Sequence, residues 1–155
     1  MQGSPSVIAA LNEVFANWLA LEQQAHLQEH KFEAMRYAFS DWFHVIEEEG
    51  HEQCIHKLLN RINALGGTPS PRYAFPPASP VEGIAKALSG IVTALQTVHQ
   101  AYNKACELAE KDDDYVTEKK IWKQLAWLEG QMTKFEARSA QCEKVGEKAF
   151  MAEYL

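Results

Sequence analysis

The sequence predicts an all-α protein, folded as an antiparallel bundle of four helices. Apolar residues recur with a period near 3.6 through almost the whole chain of 155 residues, and alternating strand patterns are missing. Glycine and proline clusters divide this pattern into four segments of helical length. A chain of this size with 46% hydrophobic residues can bury a substantial core, so we expect a single domain over residues 1–155.

Two short turns and one long connection separate the predicted helices. Ser40 and Asp41 are good N-cap residues for the second helix, and the run GGTP after Leu65 is a stop signal at its end. The turn KDDD separates the third helix from the fourth. We therefore place the helices at about residues 6–37, 41–65, 80–111 and 114–148.

A proline-rich segment joins the second predicted helix to the third. Its sequence, GGTPSPRYAFPPASP, carries five prolines, which interrupt helices but suit an extended crossover. Pro80 and Val81 would begin the third helix, because proline is tolerated in a first helical turn. Two tight hairpins joined by one long connection form the connectivity of ferritin-like bundles.

Composition and charge argue against several kinds of partner. A net charge of −6 without any Lys/Arg-rich run disfavours nucleic acid and anionic membrane surfaces, since both require clustered positive charge. No apolar run approaches the roughly 20 residues that cross a bilayer, and we expect no leader peptide. The three cysteines, Cys54, Cys106 and Cys142, form no C-x-x-C pair, which suits reduced thiols in a cytoplasmic protein.

The stretch HVIEEEGHEQC, which begins at His44, concentrates metal-binding residue types in barely three helical turns. Glu48 and His51 are three residues apart, so one helix face can present a carboxylate and an imidazole to the same ion. Heptad steps of three and four place both residues, with His44, on the inward stripe of the second helix. The same steps on the first helix give an inward stripe that includes Glu22 and Glu29. The full stripe consists of Ile8, Leu11, Phe15, Trp18, Glu22, Ala25, Glu29 and Phe32.

Counting outward from the turn between the first two helices predicts which polar groups face one another. The expected neighbours are Glu22 with His51, His26 with Glu48, and Glu29 or His30 with His44. Burying such groups is costly unless they pair, share protons or coordinate an ion. One hypothesis is therefore a metal site suited to iron, zinc or manganese, formed by Glu22, His26, Glu48 and His51. The other is a buried hydrogen-bonded network without metal.

Three further residues are weaker candidates for the same metal site. Cys54, His44 and Glu29 lie close in sequence or in predicted register, and a Cys54 thiolate would favour zinc. The inward stripes of the third and fourth helices are instead essentially apolar. They consist of Val81, Ile84, Leu88, Ile91, Leu95, Val98, Tyr102 and Ala105, and of Ile121, Leu125, Leu128, Met132, Phe135, Ser139 and Cys142. Beside them, Gln96, Gln124 and Gln131 are expected to flank the core, and His99 to lie at its edge or at an interface.

Three segments resemble the bacterioferritins. LALEQQ around Glu22 is similar to the first-helix glutamate segment, RINALGGTP to the end of the second helix, and ACELAEKDDDYVT to the beginning of the fourth. Their order, their spacing and the total length also match, so the similarity covers nearly all of the chain. The resemblance implies a ferritin-like bundle, assembly into a homo-oligomer, and iron as the metal.

The resemblance also implies a di-iron ferroxidase site, which this sequence does not complete. Bacterioferritins supply one glutamate from each of the first and third helices and a Glu-x-x-His motif from each of the second and fourth. Here the third-helix glutamate falls near Leu95, and the fourth-helix motif falls on Leu128 and Gln131. The haem-binding methionine would be Glu52 or Glu49, so no haem is expected.

On the second helix, two alignments with the family motif remain open. Matching the motif itself selects Glu48 and His51, whereas counting back from Gly67 selects His51 and Cys54. We therefore predict a ferritin-like protein that binds metal, iron foremost, with an incomplete ferroxidase site; the absent ligands argue against an enzyme. The alternatives are a structural or regulatory assembly protein without metal and, if the site were complete, a di-metal oxidase or oxygenase.

Overall fold

The structure, a computed structural model, describes residues 2–70 and 83–155 and contains no strand in those ranges. The helices are α1 (Pro5–Ala34), α2 (Ser40–Gly50), α3 (His56–Ala64), α4 (Ile84–Lys111), α5 (Tyr115–Val145) and α6 (Glu147–Ala152). A π-helical turn, His51–Ile55, links α2 to α3 with helical backbone angles on both sides. The two helices therefore continue one another as a single rod, which confirms the all-α prediction.

Neighbouring rods of the bundle run antiparallel. In each pair of neighbouring rods, residues later in one helix contact residues earlier in the other. The pairs are Glu22–His51 and Glu29–His44 for α1 with α2, Cys54–Gln124 and Arg61–Asp114 for the second rod with α5, and Tyr102–Gln124 and His99–Glu129 for α4 with α5. Four rods therefore surround one core, as the sequence predicts.

Two helices end earlier than predicted, close to residues whose backbone has a positive φ angle. Arg36 has φ 67°, and α1 accordingly ends at Ala34 rather than near residue 37. Gly146 has φ 91°, which ends α5 at Val145 and separates it from α6, a short helix that the sequence analysis did not predict. The proline-rich crossover and the predicted helix start at Pro80 fall mainly on residues 71–82, outside the described residues.

One hydrophobic core draws on α1 to α6. At one end of the bundle, α6 closes the core with Phe150, which is fully buried beside Trp42 at a ring-centroid distance of 6.0 Å. The Arg138 guanidinium lies 4.3 Å from the centre of the Trp42 ring, in a cation–π position. This aromatic end fixes the chain terminus, because the Ala38 N–H also donates to the Tyr154 carbonyl at 2.9 Å.

The buried stripe of α1 differs by one position from the predicted stripe. Both include Trp18 and the positions one heptad before and after it, but the structure buries Leu21 and Gln28, not Glu22 and Glu29. The correction has a simple cause, because heptad steps can continue from Trp18 by either three or four residues. The apolar choice, Leu21, is the one that the fold makes.

The π-helical turn explains the corresponding error on α2. A π-helical turn contains about one residue more than an α-helical turn. The predicted heptad positions before Ile55 are therefore displaced by one residue. They fall on His51 and His44, whereas the structure buries Gly50 and Phe43. The predicted inward stripe of polar residues on this helix consequently faces outward.

The second half of the bundle follows its predicted stripe more closely. On α4, the predicted positions from Ile84 to Ala105 are all buried. On α5, Gln124 and Gln131 are buried, although the sequence analysis placed both beside the core rather than in it. No helix within residues 2–70 and 83–155 combines the length and apolar character that crossing a bilayer requires.

Candidate metal centre

The predicted acid and histidine ladder lies in an open cleft on the outer face between α1 and α2. The side chains of His26 and Glu48 are 48% and 68% exposed, so the expectation that this ladder is buried in the bundle is wrong. The cleft has a volume of about 390 Å³. Its lining consists of Glu22, His44, Glu47, Glu48, His51 and Glu52. His26 and Glu29 border the cleft, because they contact Glu47 and His44 of the lining.

Short contacts pair the imidazoles of this outer cleft with carboxylates. His26 Nδ1 lies 2.8 Å from Glu47 Oε1. His44 bridges two acids, with Nδ1 at 2.9 Å from Glu29 Oε1 and Nε2 at 2.6 Å from Glu48 Oε2. Of the predicted neighbours, Glu29 and His44 therefore meet, whereas His26 meets Glu47 instead of Glu48.

His51 and Glu22 form a looser pair at one end of the same cleft. His51 Nδ1 lies 3.9 Å from Glu22 Oε2, which is too long for a hydrogen bond. Glu22 Oε2 has no hydrogen-bond partner although it is buried, and the same is true of Glu47 Oε2. Two carboxylate oxygens of the cleft thus lack the donor that a buried acceptor normally has.

The tightest group of donors in the described residues combines one imidazole and two carboxylates. His26, Glu29 and Glu47 each offer a ligand atom, and these three atoms lie within 4.8 Å of one another. Of the four leading sequence candidates, only His26 belongs to this trio. Glu29 was a weaker candidate, and Glu47 was not a candidate because the predicted inward stripe passes through Glu48 instead.

The charges of the trio are interdependent. Burial and a hydrogen bond shared with Glu47 raise the pKa of Glu29. Burial also opposes ionisation of Glu47, but hydrogen bonds from His26 and Glu29 outweigh it and hold the pKa of Glu47 below its usual value. The pKa of His26 is raised, chiefly by its hydrogen bond with Glu47. Glu29 and His26 therefore release their protons less readily than usual, so a cation bound by the trio would compete with protons for both groups.

Two further residues of the cleft, His44 and Glu22, also have raised pKa values. The hydrogen bond with Glu48, assisted by the charge of Glu29, raises the pKa of His44. Burial raises the pKa of Glu22, although the neighbouring His51 acts in the opposite direction. Partial burial thus makes the Glu22 carboxylate harder to ionise.

Cys54 lies on the opposite side of the second rod from the cleft. Its side chain is fully buried, and its S–H donates to the Gln124 carbonyl at 3.8 Å. Burial raises the pKa of the thiol to about 12, so it carries no charge at neutral pH. The alignment that paired His51 with Cys54 therefore joins an exposed imidazole to an interior thiol, and these do not face one site.

The interior positions that the sequence resemblance aligned with family iron ligands carry no carboxylate. Leu95 and Leu128 are fully buried, and Gln131 is buried beside them in the core. Within the described chain, Glu118 is the one buried carboxylate, and it lies in the first turn of α5. A dinuclear iron centre needs bridging carboxylates from opposing helices, so these interior residues do not fit it.

A neutral hydrogen-bonded chain occupies the interior, and the sequence analysis did not single it out. The Trp18 indole N–H donates to the Tyr102 hydroxyl at 2.7 Å. That hydroxyl donates in turn to Gln124 Oε1 at 2.6 Å. The available signal was a tryptophan and a tyrosine on two inward stripes, because buried side chains of both types require polar partners.

His99 makes a separate contact on the α4–α5 side. Its Nε2 atom lies 2.8 Å from Glu129 Oε2, and Asn103 Nδ2 lies 3.2 Å from its Nδ1 atom. The side chain is 23% exposed, as expected for a histidine at the edge of the core. It is one turn or more from the interior chain and adds no carboxylate to the core.

Comparisons with known proteins identify the family. No curated protein sequence matches this chain. Among solved structures, the fold is similar to a bacterioferritin of Rhodobacter capsulatus, with a TM-score of 0.91, 19% identity, and coverage of 99% of this chain and 96% of that one. That protein is described with a metal-free dinuclear site and a haem iron in a crystallographic special position. At this identity the likeness shows the fold, which confirms the predicted bundle. The profile of the ferritin-like domain matches residues 8–145, so this chain belongs to the ferritin-like family.

Proposed function

We propose that this ferritin-like chain binds a divalent transition-metal ion, iron foremost, in the outer cleft between α1 and α2. The observation that carries the proposal is the trio of His26, Glu29 and Glu47, whose ligand atoms lie within 4.8 Å of one another. One imidazole nitrogen and two carboxylate oxygens suit iron, manganese or zinc. Water would complete the coordination, because the cleft is open to solvent.

The surroundings of the trio support a cation. Glu47 Oε2 is buried without a hydrogen-bond partner, and so is Glu22 Oε2. A cation would neutralise this concentration of acids, whose mutual repulsion otherwise disfavours full ionisation. The donor set contains no thiolate, because Cys54 faces the interior, and this removes the feature that would have favoured zinc.

Metal analysis with matched variants tests the proposal. We expect Glu47→Ala and His26→Ala each to weaken binding of Fe(II) or Zn(II) by roughly tenfold or more. Glu49→Ala is the matched control, since Glu49 lies two residues away on the exposed surface and outside the cleft. Isothermal titration of tag-free protein under anaerobic conditions provides the measurement. Equal affinities in all three variants would contradict the assignment of the trio.

The proposed metal binding does not include rapid iron oxidation. Fast ferroxidase chemistry requires two irons close enough to share an oxygen species, and the interior offers leucines where the ligands would be needed. We expect aerobic addition of Fe(II) to give oxidation close to the buffer rate. A fast absorbance phase that consumes two Fe(II) per chain in stopped-flow experiments would support the oxidase alternative.

We also propose that the chain acts as one ferritin-like domain in a cytoplasmic homo-oligomer. Its three cysteines are free thiols, which suits a reducing compartment. On α5, Tyr115, Val116 and Trp122 are large apolar side chains that remain exposed. Aromatic residues of this kind are enriched in protein interfaces. Sedimentation of the purified protein at micromolar concentration tests this part, and a monomer throughout would contradict it.

A specific observation also supports an assembly protein without metal as the second candidate. His26 and His44 have hydrogen-bonded carboxylate partners within the chain itself. Such pairs could serve as a surface network whose role is contact with another subunit. Less than about a tenth of an equivalent of metal per chain after anaerobic loading would favour this candidate over metal binding.

A further inference from the structure

The polar interior of the bundle links three rods through two hydrogen bonds. Trp18 on α1 donates to Tyr102 on α4, and Tyr102 donates to Gln124 on α5. All three side chains are buried, Gln124 to within 2% of full burial. The indole N–H and the phenol O–H, which would be costly to bury unpaired, each have an acceptor.

The second rod completes this arrangement by making room for the indole. A Cβ atom added at Gly50 would lie 3.0 Å from the Trp18 ring and 3.5 Å from that of Trp127. Cys54, in the π-helical turn, donates its S–H to the Gln124 backbone carbonyl at 3.8 Å. All four rods therefore meet around Trp18 and Gln124.

This network lies beside the positions that correspond to family metal ligands. Tyr102 follows Leu95 by two helical turns on α4, and Gln124 precedes Leu128 by about one turn on α5. In bundles with interior metals, ligands from facing helices connect the helices through the ion. Here hydrogen bonds between neutral side chains make the equivalent connection.

We infer that the network of Trp18, Tyr102 and Gln124 replaces an interior metal centre as the polar cross-link of this bundle. The interior then takes up no transition metal, and the fold does not require one. The donor set supports this, because two leucines, an amide and a hydrogen-bonded phenol offer no carboxylate pair to an ion. The inference does not depend on whether the outer cleft binds metal.

A variant without the outer trio separates metal binding in the outer cleft from metal binding in the interior. In the double variant His26→Ala, Glu47→Ala, bound Fe(II) or Zn(II) would have to lie elsewhere. We expect less than about a tenth of an equivalent to bind, with no change in near-UV circular dichroism from the packed tryptophans. We also expect the same unfolding midpoint with EDTA and with metal. Stoichiometric binding that alters the tryptophan signal would overturn the inference, whereas absence of binding in the unmodified protein would overturn only the proposed function.

Removal of the central hydroxyl tests the cross-link itself. Tyr102→Phe keeps the ring but leaves the Trp18 N–H and Gln124 Oε1 without their shared partner. We expect this to raise the unfolding equilibrium constant by about tenfold or more. Tyr115→Phe is the control, because its hydroxyl bonds to Asp113 on the surface and its loss should change the constant less than about twofold.

A double variant distinguishes a network from independent contacts. Once Tyr102→Phe is present, adding Trp18→Phe removes no further hydrogen bond, so its effect should be smaller than in the unmodified protein. Urea unfolding followed by circular dichroism at 222 nm measures all of these variants. Equal, small effects of Tyr102→Phe and Tyr115→Phe would show that the interior hydrogen bonds do not hold the bundle together.

Discussion

Trp18 and Glu22 are one helical turn apart on α1, yet they belong to two contrasting polar regions. Trp18 joins a neutral chain of hydrogen bonds in the buried interior, where the indole N–H and the Tyr102 O–H each have an acceptor. Glu22 lines an open cleft in which acids outnumber imidazoles and carboxylate oxygens lack donors. The interior chain, in which buried donors have acceptors, therefore stabilises the fold. The outer cleft, in which buried carboxylate oxygens lack donors, is the better candidate for binding a ligand.

The largest expected contrast comes from truncating each of these two residues. Trp18→Ala removes a fully buried indole and orphans the Tyr102 hydroxyl as an acceptor, so we expect a loss of about 3–5 kcal/mol in unfolding free energy. Glu22→Ala removes a partly exposed carboxylate whose Oε2 atom has no hydrogen-bond partner, and we expect a change below about 1 kcal/mol. Urea unfolding measures both, and similar losses would remove the proposed distinction between the regions.

A pair of glycine substitutions provides a smaller and sharper test of interior packing. Alanine stabilises a helix interior by roughly 0.5–1 kcal/mol relative to glycine, and Gly130→Ala should gain this amount, since nothing lies within 4 Å of its added Cβ. At Gly50 the added Cβ would press on the Trp18 ring at 3.0 Å. That ring is held by its hydrogen bond to Tyr102, so Gly50→Ala should cost about 1–3 kcal/mol through overpacking. A gain at both positions would indicate that Trp18 moves freely.

We expect the histidines of the outer cleft to give the free energy of unfolding a modest dependence on pH. His26 and His44 both have a pKa raised above 6.5, chiefly by hydrogen bonds with Glu47 and Glu48. A group whose pKa is higher in the folded protein than in the unfolded chain stabilises the folded state. Its contribution is complete below the pKa of the unfolded chain and is lost as the pH rises through the pKa of the folded protein. Stability should therefore decline slightly from pH 6 to pH 8. A buried network without metal, the second hypothesis from the sequence, would give the opposite slope if its histidines were neutral, because burial lowers the pKa of an imidazole.

The histidine variants identify the origin of that slope. Thermal unfolding at several pH values should show a weaker decline in His26→Ala combined with His44→Ala. His56→Ala is the control, because His56 is exposed on α3 and faces Asn60 rather than a carboxylate. If the slope survives removal of both cleft histidines, its source lies elsewhere in the protein.

The fold could be predicted because its determinants are local. Apolar periodicity, the turn GGTP and the turn KDDD each act over a few residues, and the stripe on α4 was correct at every described position from Ile84 to Ala105. The short helix α6 was missed because it is defined by Gly146 and by its packing against distant aromatics. Tertiary packing of this kind leaves little trace in a local pattern.

The candidate site was harder to predict because it depends on helical register. The π-helical turn adds a residue within a helix that otherwise looks regular, and this turned His44 and His51 outward and brought Glu47 rather than Glu48 against His26. Similarly, the Trp18–Tyr102 hydrogen bond joins residues 84 positions apart. Sequence pattern placed both rings inward but could not show that they meet.

The central claim is that metal binds in the outer cleft and not in the interior. An anomalous difference map from crystals grown with Zn(II) or anaerobic Fe(II) tests this directly, because it locates the ion without relying on a variant. We predict one peak between α1 and α2, within coordination distance of Glu47. A peak, or a pair of peaks, enclosed by the four rods near Trp18 and Leu128 would contradict it.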